Sequence, residues 1–394
     1  MRKTDVDCML ARMIESQDNV SDLNFTVGKP PQVESAGDLV PVALDPLLQS
    51  LTPFQTETLA MHLIQRDRRL SQMLISHGSC DCSYAIPGQA RFRVNIFQQR
   101  HSYSIVLRKL GTEIKSIEDL HLPPVFRKIA QEKNGLILVT GATGSGKSTT
   151  LAALIDKMNE MKAIHIVTLE DPIEFEHPPK KATINQRELG IDFDSFANGL
   201  RAALRQAPKV ILVGEIRDRE SIDIALSAAE TGHLVLSTLH TVDAGQTINR
   251  ILGMFDKDEQ ELVRNRLADT LRWVVSQRLL PRSRGGRVAA LEILCTSLRV
   301  KDSVLHGESE GKTFYEIIEA GTPYGMQTFD QHISGLFEAG LVTEETAVAY
   351  ASHKSVVRRS IDDMKKKRGL ITTDIEELTL DGDYGNGALS RKVR

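Results

Sequence analysis

The feature that most constrains the fold is a glycine-rich segment between an apolar run and a helix-forming stretch. Residues 141–148 are Gly-Ala-Thr-Gly-Ser-Gly-Lys-Ser, directly after the apolar run at 136–140. Glycine lets successive backbone N–H groups curl around phosphate oxygens, and the N-terminus of the following helix adds positive potential. A strand before this motif and a helix after it are the context in which it binds nucleoside triphosphates. The sequence therefore predicts a nucleotide-binding P-loop in an α/β fold.

The P-loop supplies one obvious cation and one obvious ligand for a metal. Lys147 is predicted to neutralise the β- and γ-phosphates of ATP, and the Ser148 hydroxyl is predicted to bind Mg²⁺. ATP and Mg²⁺ are thus the expected ligands of this segment. The residues of the segment predicted to bind the nucleotide are Gly141, Ala142, Thr143, Gly144, Ser145, Gly146, Lys147, Ser148 and Thr149.

Three polar clusters follow other apolar runs in the same half of the chain. Short continuous apolar runs recur at 136–139, 164–169, 210–213, 234–236 and 288–291. Such runs are typical of a mainly parallel sheet buried on both faces, whose carboxyl edge is where ligands bind. Glu170, Glu215 and His240 each lie just after one of these runs. We therefore predict that all three residues face the nucleotide.

The positions of the two glutamates suggest different roles in hydrolysis. Glu215 is expected to end the strand next to the P-loop strand, in the Walker B arrangement, close to Mg²⁺ and Ser148. Glu170 is expected one strand further along, which leaves room for a water beside the γ-phosphate. We predict that Glu170 is the general base and that Glu215 lies on the metal side, with the reverse assignment left open.

The rest of the chain divides into an N-terminal domain and a C-terminal tail. Residues 90–96 alternate between apolar and polar side chains as a half-buried strand does, and 103–107 reads as its antiparallel partner. With a helical stretch near 54–75, this predicts a small α+β domain. The predicted limits are 1–115 for this domain with a linker to about 124, 125–360 for the P-loop domain with C-terminal helices, and 361–394 for a basic and polar, partly disordered tail.

Composition narrows the class of protein. The net charge is −3, aromatic residues make up 5% of the chain, and there is one Trp, so a motor that runs along nucleic acid is disfavoured. The N-terminus lacks the apolar core of a signal peptide, and no uncharged apolar run approaches the about 18 residues of a membrane span. Four cysteines form no zinc or disulfide pattern. These observations predict a reduced, cytoplasmic protein without structural metal.

The order of the motifs resembles that of the secretion ATPases of type II and type IV systems. The chain is most similar to their type IV pilus retraction branch, since it lacks the further N-terminal domain and four-cysteine zinc element of extension ATPases. The resemblance covers roughly residues 20–360. The stretches that carry it, besides the P-loop and the three clusters, are Ala-Arg-Phe-Arg-Val-Asn at 90–95, Gln-Arg-Glu at 186–188, Leu-Val-Gly-Glu-Ile-Arg-Asp at 212–218, Ser-Gln-Arg-Leu-Leu-Pro at 276–281 and Gln-Thr-Phe-Asp-Gln at 327–331.

The resemblance implies a PAS-like N-terminal domain, a RecA-like core, and a homohexameric ring with ATP between the two domains. It implies a motor that couples ATP hydrolysis to pilus retraction, and hence to twitching motility, at a platform protein on the cytoplasmic face of the inner membrane, with a paralogous retraction ATPase as a further partner. It also implies that arginines contact the phosphates, some of them from a neighbouring subunit. We predict Arg93 and Arg108 in this role, although each taken alone is most simply a solvated surface or salt-bridge residue.

Two positions depart from the family pattern and keep alternatives open. Lys209 stands where the family usually has Asp before the Walker B strand, and Asn134 replaces a residue that is often Arg in close relatives. The alternatives are an ATP-binding accessory ring subunit that works with an active paralogue, or a related pilus-assembly or secretion ATPase.

Overall fold

The chain folds around two β-sheets in the computed structural model, which describes residues 3–44, 49–65, 67–111 and 113–368. The first sheet has six antiparallel strands in the order β3-β2-β1-β6-β5-β4, and three helices accompany it. These elements are α1 (Lys3–Glu15), β1 (Val20–Phe25), β2 (Gln32–Ser35), β3 (Asp38–Pro41), α2 (Pro53–Leu63), α3 (Arg68–His77), β4 (Ser79–Ile86), β5 (Ala90–Gln99) and β6 (Ser102–Leu110).

The alternation predicted for the first sheet is confirmed. Phe92, Val94 and Ile96 of β5 are all fully buried, and β5 pairs with β6 in antiparallel register, with Arg93 directly opposite Arg108. The single helix predicted near 54–75 is two helices instead. The physical reason is a new helix start: the Asp67 side chain accepts hydrogen bonds from the backbone N–H groups of residues 69 and 70 and so caps α3.

The second sheet has seven strands in the order β13-β12-β7-β11-β10-β8-β9. All neighbours in it are parallel except β12 and β13, so the prediction of a mainly parallel sheet is confirmed. Its strands and the helices around it are α4 (Phe126–Ile129), β7 (Gly135–Thr140), α5 (Lys147–Met161), β8 (His165–Glu170), β9 (Thr183–Glu188), α6 (Phe196–Ala203), β10 (Val210–Val213), α7 (Arg219–Glu230), β11 (Leu234–Leu239), α8 (Ala244–Leu252), α9 (Gln260–Thr270), β12 (Leu271–Pro281), β13 (Arg287–Cys295), α10 (Leu298–His306) and α11 (Phe314–Ala320).

One prediction about this sheet is wrong. The strand that ends before Glu215, β10, does not lie next to the P-loop strand β7, because β11 pairs with both and separates them. Glu170 does end the strand beside β10, as predicted. Chain order does not determine strand order, since a crossover helix can return the chain to either side of a neighbouring strand.

The last helices cover the hairpin formed by β12 and β13. They are α12 (Phe329–Glu338), α13 (Glu344–Tyr350) and α14 (Lys354–Lys367). Leu280 and Val288 of the hairpin form a separate core with residues of these helices, among them Phe329 and Ile361. Helix α14 continues past residue 361, the predicted start of the tail, and Ile361 is fully buried. Residues 369–394 of that tail lie outside the described residues, and the domain limits remain predictions.

Within the described part of the chain, no helix is both long enough and apolar enough to cross a membrane.

Candidate nucleotide site

A cleft of about 600 Å³ opens at the carboxyl edge of the second sheet. This is the edge at which parallel α/β sheets bind ligands. Glu170 follows β8, Glu215 follows β10 and His240 follows β11, and all three residues line the cleft. The first sheet contributes Arg93. The structure therefore brings together most of the side chains that the sequence places at the nucleotide.

The P-loop enters the cleft between β7 and α5. Gly146 has a φ of +88° and directly precedes α5, a conformation that a residue with a Cβ rarely adopts. There is also no space for one, because a Cβ at this position would lie 2.9 Å from the Gln277 side-chain nitrogen. A helix of 15 residues thus begins at the cleft, with its free N–H groups at the end that attracts anions.

Lys147 lies over the loop rather than in solvent. Its ammonium group donates hydrogen bonds to the carbonyl oxygens of Gly141 at 2.8 Å and Ala142 at 3.0 Å. Burial lowers the pKa of Lys147, while the negative charges of Glu215 and Glu174 work in the opposite direction. A phosphate group would replace the two carbonyl oxygens with stronger, charged acceptors.

Six of the nine predicted loop residues line the cleft, whereas Gly141, Ala142 and Ser145 do not. Those that line the cleft are Thr143, Gly144, Gly146, Lys147, Ser148 and Thr149. Gly141 and Ser145 are buried, and the Ser145 hydroxyl has no hydrogen-bond partner among the described residues. An unpartnered hydroxyl, free N–H groups and a lysine in one loop fit a phosphate chain. The Ser148 hydroxyl and the Glu215 carboxylate in the same cleft are oxygen donors of the kind that Mg²⁺ prefers.

Glu170 is held by two hydrogen bonds on one oxygen. Its Oε1 accepts from the Thr168 hydroxyl at 2.6 Å and from the Gln186 side-chain amide at 3.0 Å. Burial raises the pKa of Glu170, although these two hydrogen bonds oppose the shift. Both partners act on Oε1, which leaves Oε2 as the oxygen able to accept a proton. A carboxylate that is fixed in place and has a raised pKa suits a general base.

Glu215 has a different environment. Its carboxylate is paired with Arg217 through Oε1, and its Oε2 lies 3.4 Å from His240 Nε2. Burial works to raise the pKa of Glu215, but the hydrogen bonds and charges of Arg217 and His240 outweigh it and lower the pKa. A carboxylate that stays ionised suits the metal side of the site. The other histidine of this region, His233, precedes β11 at the opposite edge and bonds to the Ala228 carbonyl.

The two predicted arginines are neighbours in the first sheet but differ in their contacts. Arg93 lines the cleft, and its charge works against the burial that raises the pKa of Asp171. Arg108 is paired with Asp22 at 2.9 Å and does not line the cleft within one chain. Next to Arg93, Arg91 joins the two sheets, because its guanidinium is paired with Glu188 of β9 and with Glu176 at 3.0 Å.

Sequence analysis missed several residues of this site. Gln186 holds Glu170, Gln277 contacts the P-loop, and Leu279 and Arg287 line the cleft beside the loop. Gln186 and residues 277–279 lie in stretches that resemble family motifs, but the sequence pattern does not predict β9 or β12 as strands. Both strands interrupt their apolar residues with polar ones, so no continuous run marks them.

Residues 78–380 match the family described as Type II/IV secretion system protein. The chain is 41% identical over 334 residues to the Type IV pilus retractation ATPase PilT of Pseudomonas aeruginosa, which covers 84% of this chain and 94% of that protein. It is 39% identical over 342 residues to the Type IV pilus ATPase PilU of the same organism, with 86% and 87% covered.

Two solved structures are similar in fold. One, of the pilus retraction motor PilT with bound ADP, has a TM-score of 0.79 at 41% identity and covers 90% of this chain and 98% of that chain. The Legionella pneumophila ATPase DotB has a TM-score of 0.76 at 29% identity, with 88% and 95% covered. The predicted fold class, a RecA-like P-loop core with a smaller N-terminal α+β domain, is confirmed.

Proposed function

The chain belongs to the Type II/IV secretion system protein family, and on that premise we propose that it is a motor ATPase that couples ATP hydrolysis to retraction of a type IV pilus. The observation that carries the proposal is the single cleft that holds Lys147, Glu170, Glu215 and Arg93 together. The similarity to PilT, over nearly the whole of that protein, supports the direction of force.

Five side chains that line the cleft have distinct roles in the proposed reaction. Lys147 and the N–H groups at the start of α5 bind the β- and γ-phosphates. Ser148 and Glu215 would hold Mg²⁺, which when bound would neutralise charge on the phosphates. Glu170 takes the proton of the attacking water on its Oε2, while Thr168 and Gln186 keep the carboxylate in place. Arg93 stabilises the charge that develops on the γ-phosphate.

The proposed assembly is a homohexamer at the cytoplasmic face of the inner membrane. There the ring would act on a membrane platform protein of the pilus, reached through protein partners rather than through a membrane span of its own. An arginine outside the cleft in its own chain, such as Arg108, can then act on a neighbouring subunit. A paralogous retraction ATPase is a further candidate partner.

One alternative has a specific observation in its favour. The chain is nearly as similar to PilU as to PilT, so an accessory retraction ATPase that acts with an active paralogue is the second candidate. The two departures from the family pattern do not favour it. Asn134 precedes β7 and Lys209 precedes β10, so both lie at the amino edge of the sheet, opposite the cleft. Asn134 there accepts a hydrogen bond from Arg272 at 3.2 Å.

Deletion of the gene in its own organism tests the proposed direction of force. We expect surface pili to be retained or increased in number while twitching motility is lost, because extension continues without retraction. Complementation with the wild-type gene should restore twitching, and Lys147→Ala should not. Loss of pili in the deletion strain would instead assign the chain to pilus assembly or secretion. Steady-state ATPase activity of the purified wild-type protein separates a motor from a passive subunit.

The metal side of the site gives a second prediction. Glu215→Gln should weaken the Mg²⁺ dependence of ATP binding, since the neutral amide is a poorer ligand for the cation, and turnover should fall with it. The measurement is ATP affinity with Mg²⁺ and with chelator. Glu259→Gln is a matched control, because Glu259 is an ion-paired glutamate away from the cleft. If the ratio of ATP affinity with Mg²⁺ to ATP affinity with chelator is the same in Glu215→Gln as in the wild type, Glu215 does not bind the metal.

A further inference from the structure

Gln277 of β12 is buried between the P-loop and the helix that follows it. Its side-chain Nε2 donates to the carbonyl oxygen of Ser145 at 2.7 Å, and its Oε1 accepts from the Thr150 hydroxyl at 2.8 Å. Gln277 is 3% exposed and Thr150 is 1% exposed. The amide thus donates to the loop and accepts from α5.

The bond to Ser145 determines which way one peptide group faces. A trans peptide is planar, so the carbonyl oxygen of Ser145 and the N–H of Gly146 point in opposite directions. Since Gln277 holds that oxygen on the β12 side, the Gly146 N–H points away from β12. Gly146 itself lines the cleft. The amide of Gln277 therefore sets the orientation of a peptide group in the cleft-lining part of the loop.

The packing around Gln277 leaves this peptide little freedom. A Cβ at Gly146 would be 2.9 Å from Gln277 Nε2, and one at Gly141 would be 2.4 Å from the Gln277 carbonyl oxygen. The loop is therefore in close contact with β12 at both of its ends. Thr140, just before the loop, also donates to the Ser276 hydroxyl at 3.1 Å. This part of β12 acts as a fixed surface against which the P-loop is shaped.

We propose that Gln277 is a positioning residue for the nucleotide, which orients the Ser145–Gly146 peptide so that its N–H binds phosphate. The inference rests on the proposed binding of ATP at the P-loop. Gln277 does not touch the nucleotide in this scheme and acts through the loop. Variants that lose this hydrogen bond should bind the nucleotide more weakly even under conditions in which they remain fully folded.

The substitution Gln277→Glu gives a test with its own signature. A protonated carboxyl group has the shape of the amide and can donate to Ser145 while accepting from Thr150, but a carboxylate has no donor. We expect affinity for a fluorescent ADP analogue to be near that of the wild type at about pH 5.5 and about 10- to 100-fold weaker at about pH 8.5. Wild-type protein at both pH values corrects for the titration of other groups, such as Glu170.

Two further variants complete the experiment. Gln277→Met keeps the size of the side chain without a donor, so its affinity should be reduced about 10- to 100-fold at both pH values. Gln327→Met is the matched control, because Gln327 lies outside the cleft and donates to the Leu291 carbonyl oxygen at 3.1 Å. It should keep the wild-type affinity, even where its melting temperature falls. Wild-type affinity in Gln277→Glu at high pH, or in folded Gln277→Met, would overturn the proposal. Absence of binding by the wild type would instead reject the proposed function.

Discussion

Replacing Arg93 by Ala should lower ATP turnover by about 10³–10⁵ while ATP binding is retained, because an arginine on the γ-phosphate acts on charge that develops in the transition state. Arg93 is the arginine that the first sheet places in the cleft within one chain. The measurement is phosphate release at saturating ATP, together with ATP affinity. A turnover within about threefold of the wild type would show that Arg93 does not stabilise the transition state.

A second experiment tests whether Arg108 contacts the nucleotide of a neighbouring subunit. Within one chain it is opposite Arg93 in the sheet and is paired with Asp22, outside the cleft. Lys109→Ala on the same strand is the control, since neighbouring residues of a strand face opposite sides. If Arg108→Ala loses turnover and Lys109→Ala does not, Arg108 acts across a subunit boundary. Mixing inactive Arg108→Ala with inactive Glu170→Gln should then restore part of the activity in mixed rings.

Glu170→Gln should lower turnover by about 10²–10⁴ and leave the binding of ATP and Mg²⁺ unchanged. The glutamine oxygen can still accept the hydrogen bonds from Thr168 and Gln186, so the side chain keeps its place but cannot take a proton. The raised pKa of Glu170, which is caused by burial, also gives a sign for pH dependence. Turnover should rise with pH as this carboxyl group ionises, and Glu170→Gln should lack that rise.

Glu160→Gln is the matched control for this substitution. Glu160 is a glutamate of α5 that is ion-paired with Lys157 and Lys180 and does not line the cleft. Glu160→Gln should keep turnover within about threefold of the wild type. Normal turnover in Glu170→Gln, or a loss of Mg²⁺-dependent binding in that variant rather than in Glu215→Gln, would reverse the assignment of the two glutamates.

The P-loop half of the fold was largely predictable because its signals are local. A glycine-rich loop after a buried strand specifies both the turn and the start of α5, and continuous apolar runs mark β7, β8, β10 and β11. The order of these strands was not predictable, because pairing depends on crossovers between distant segments. For the same reason the position of β11 between β7 and β10 appeared only in the structure.

The supporting residues were also beyond sequence reasoning. Gln186 and Gln277 are polar side chains in strands, and their importance lies in which oxygen each amide meets. Neither spacing nor composition contains that information. Glu170, Glu215 and Lys147 could be chosen by residue type and position, but which of the two glutamates is held and which stays ionised depends on their neighbours.

Strand β9 connects two contacts that were described separately. Gln186 holds Glu170, and two residues further on, on the same face of the strand, Glu188 is paired with Arg91 of the first sheet. In the proposed motor, moving the first sheet away from β9 would break the Arg91–Glu188 pair or displace β9, and Gln186 lies on that strand. The position of the proposed base would then depend on contact between the two sheets.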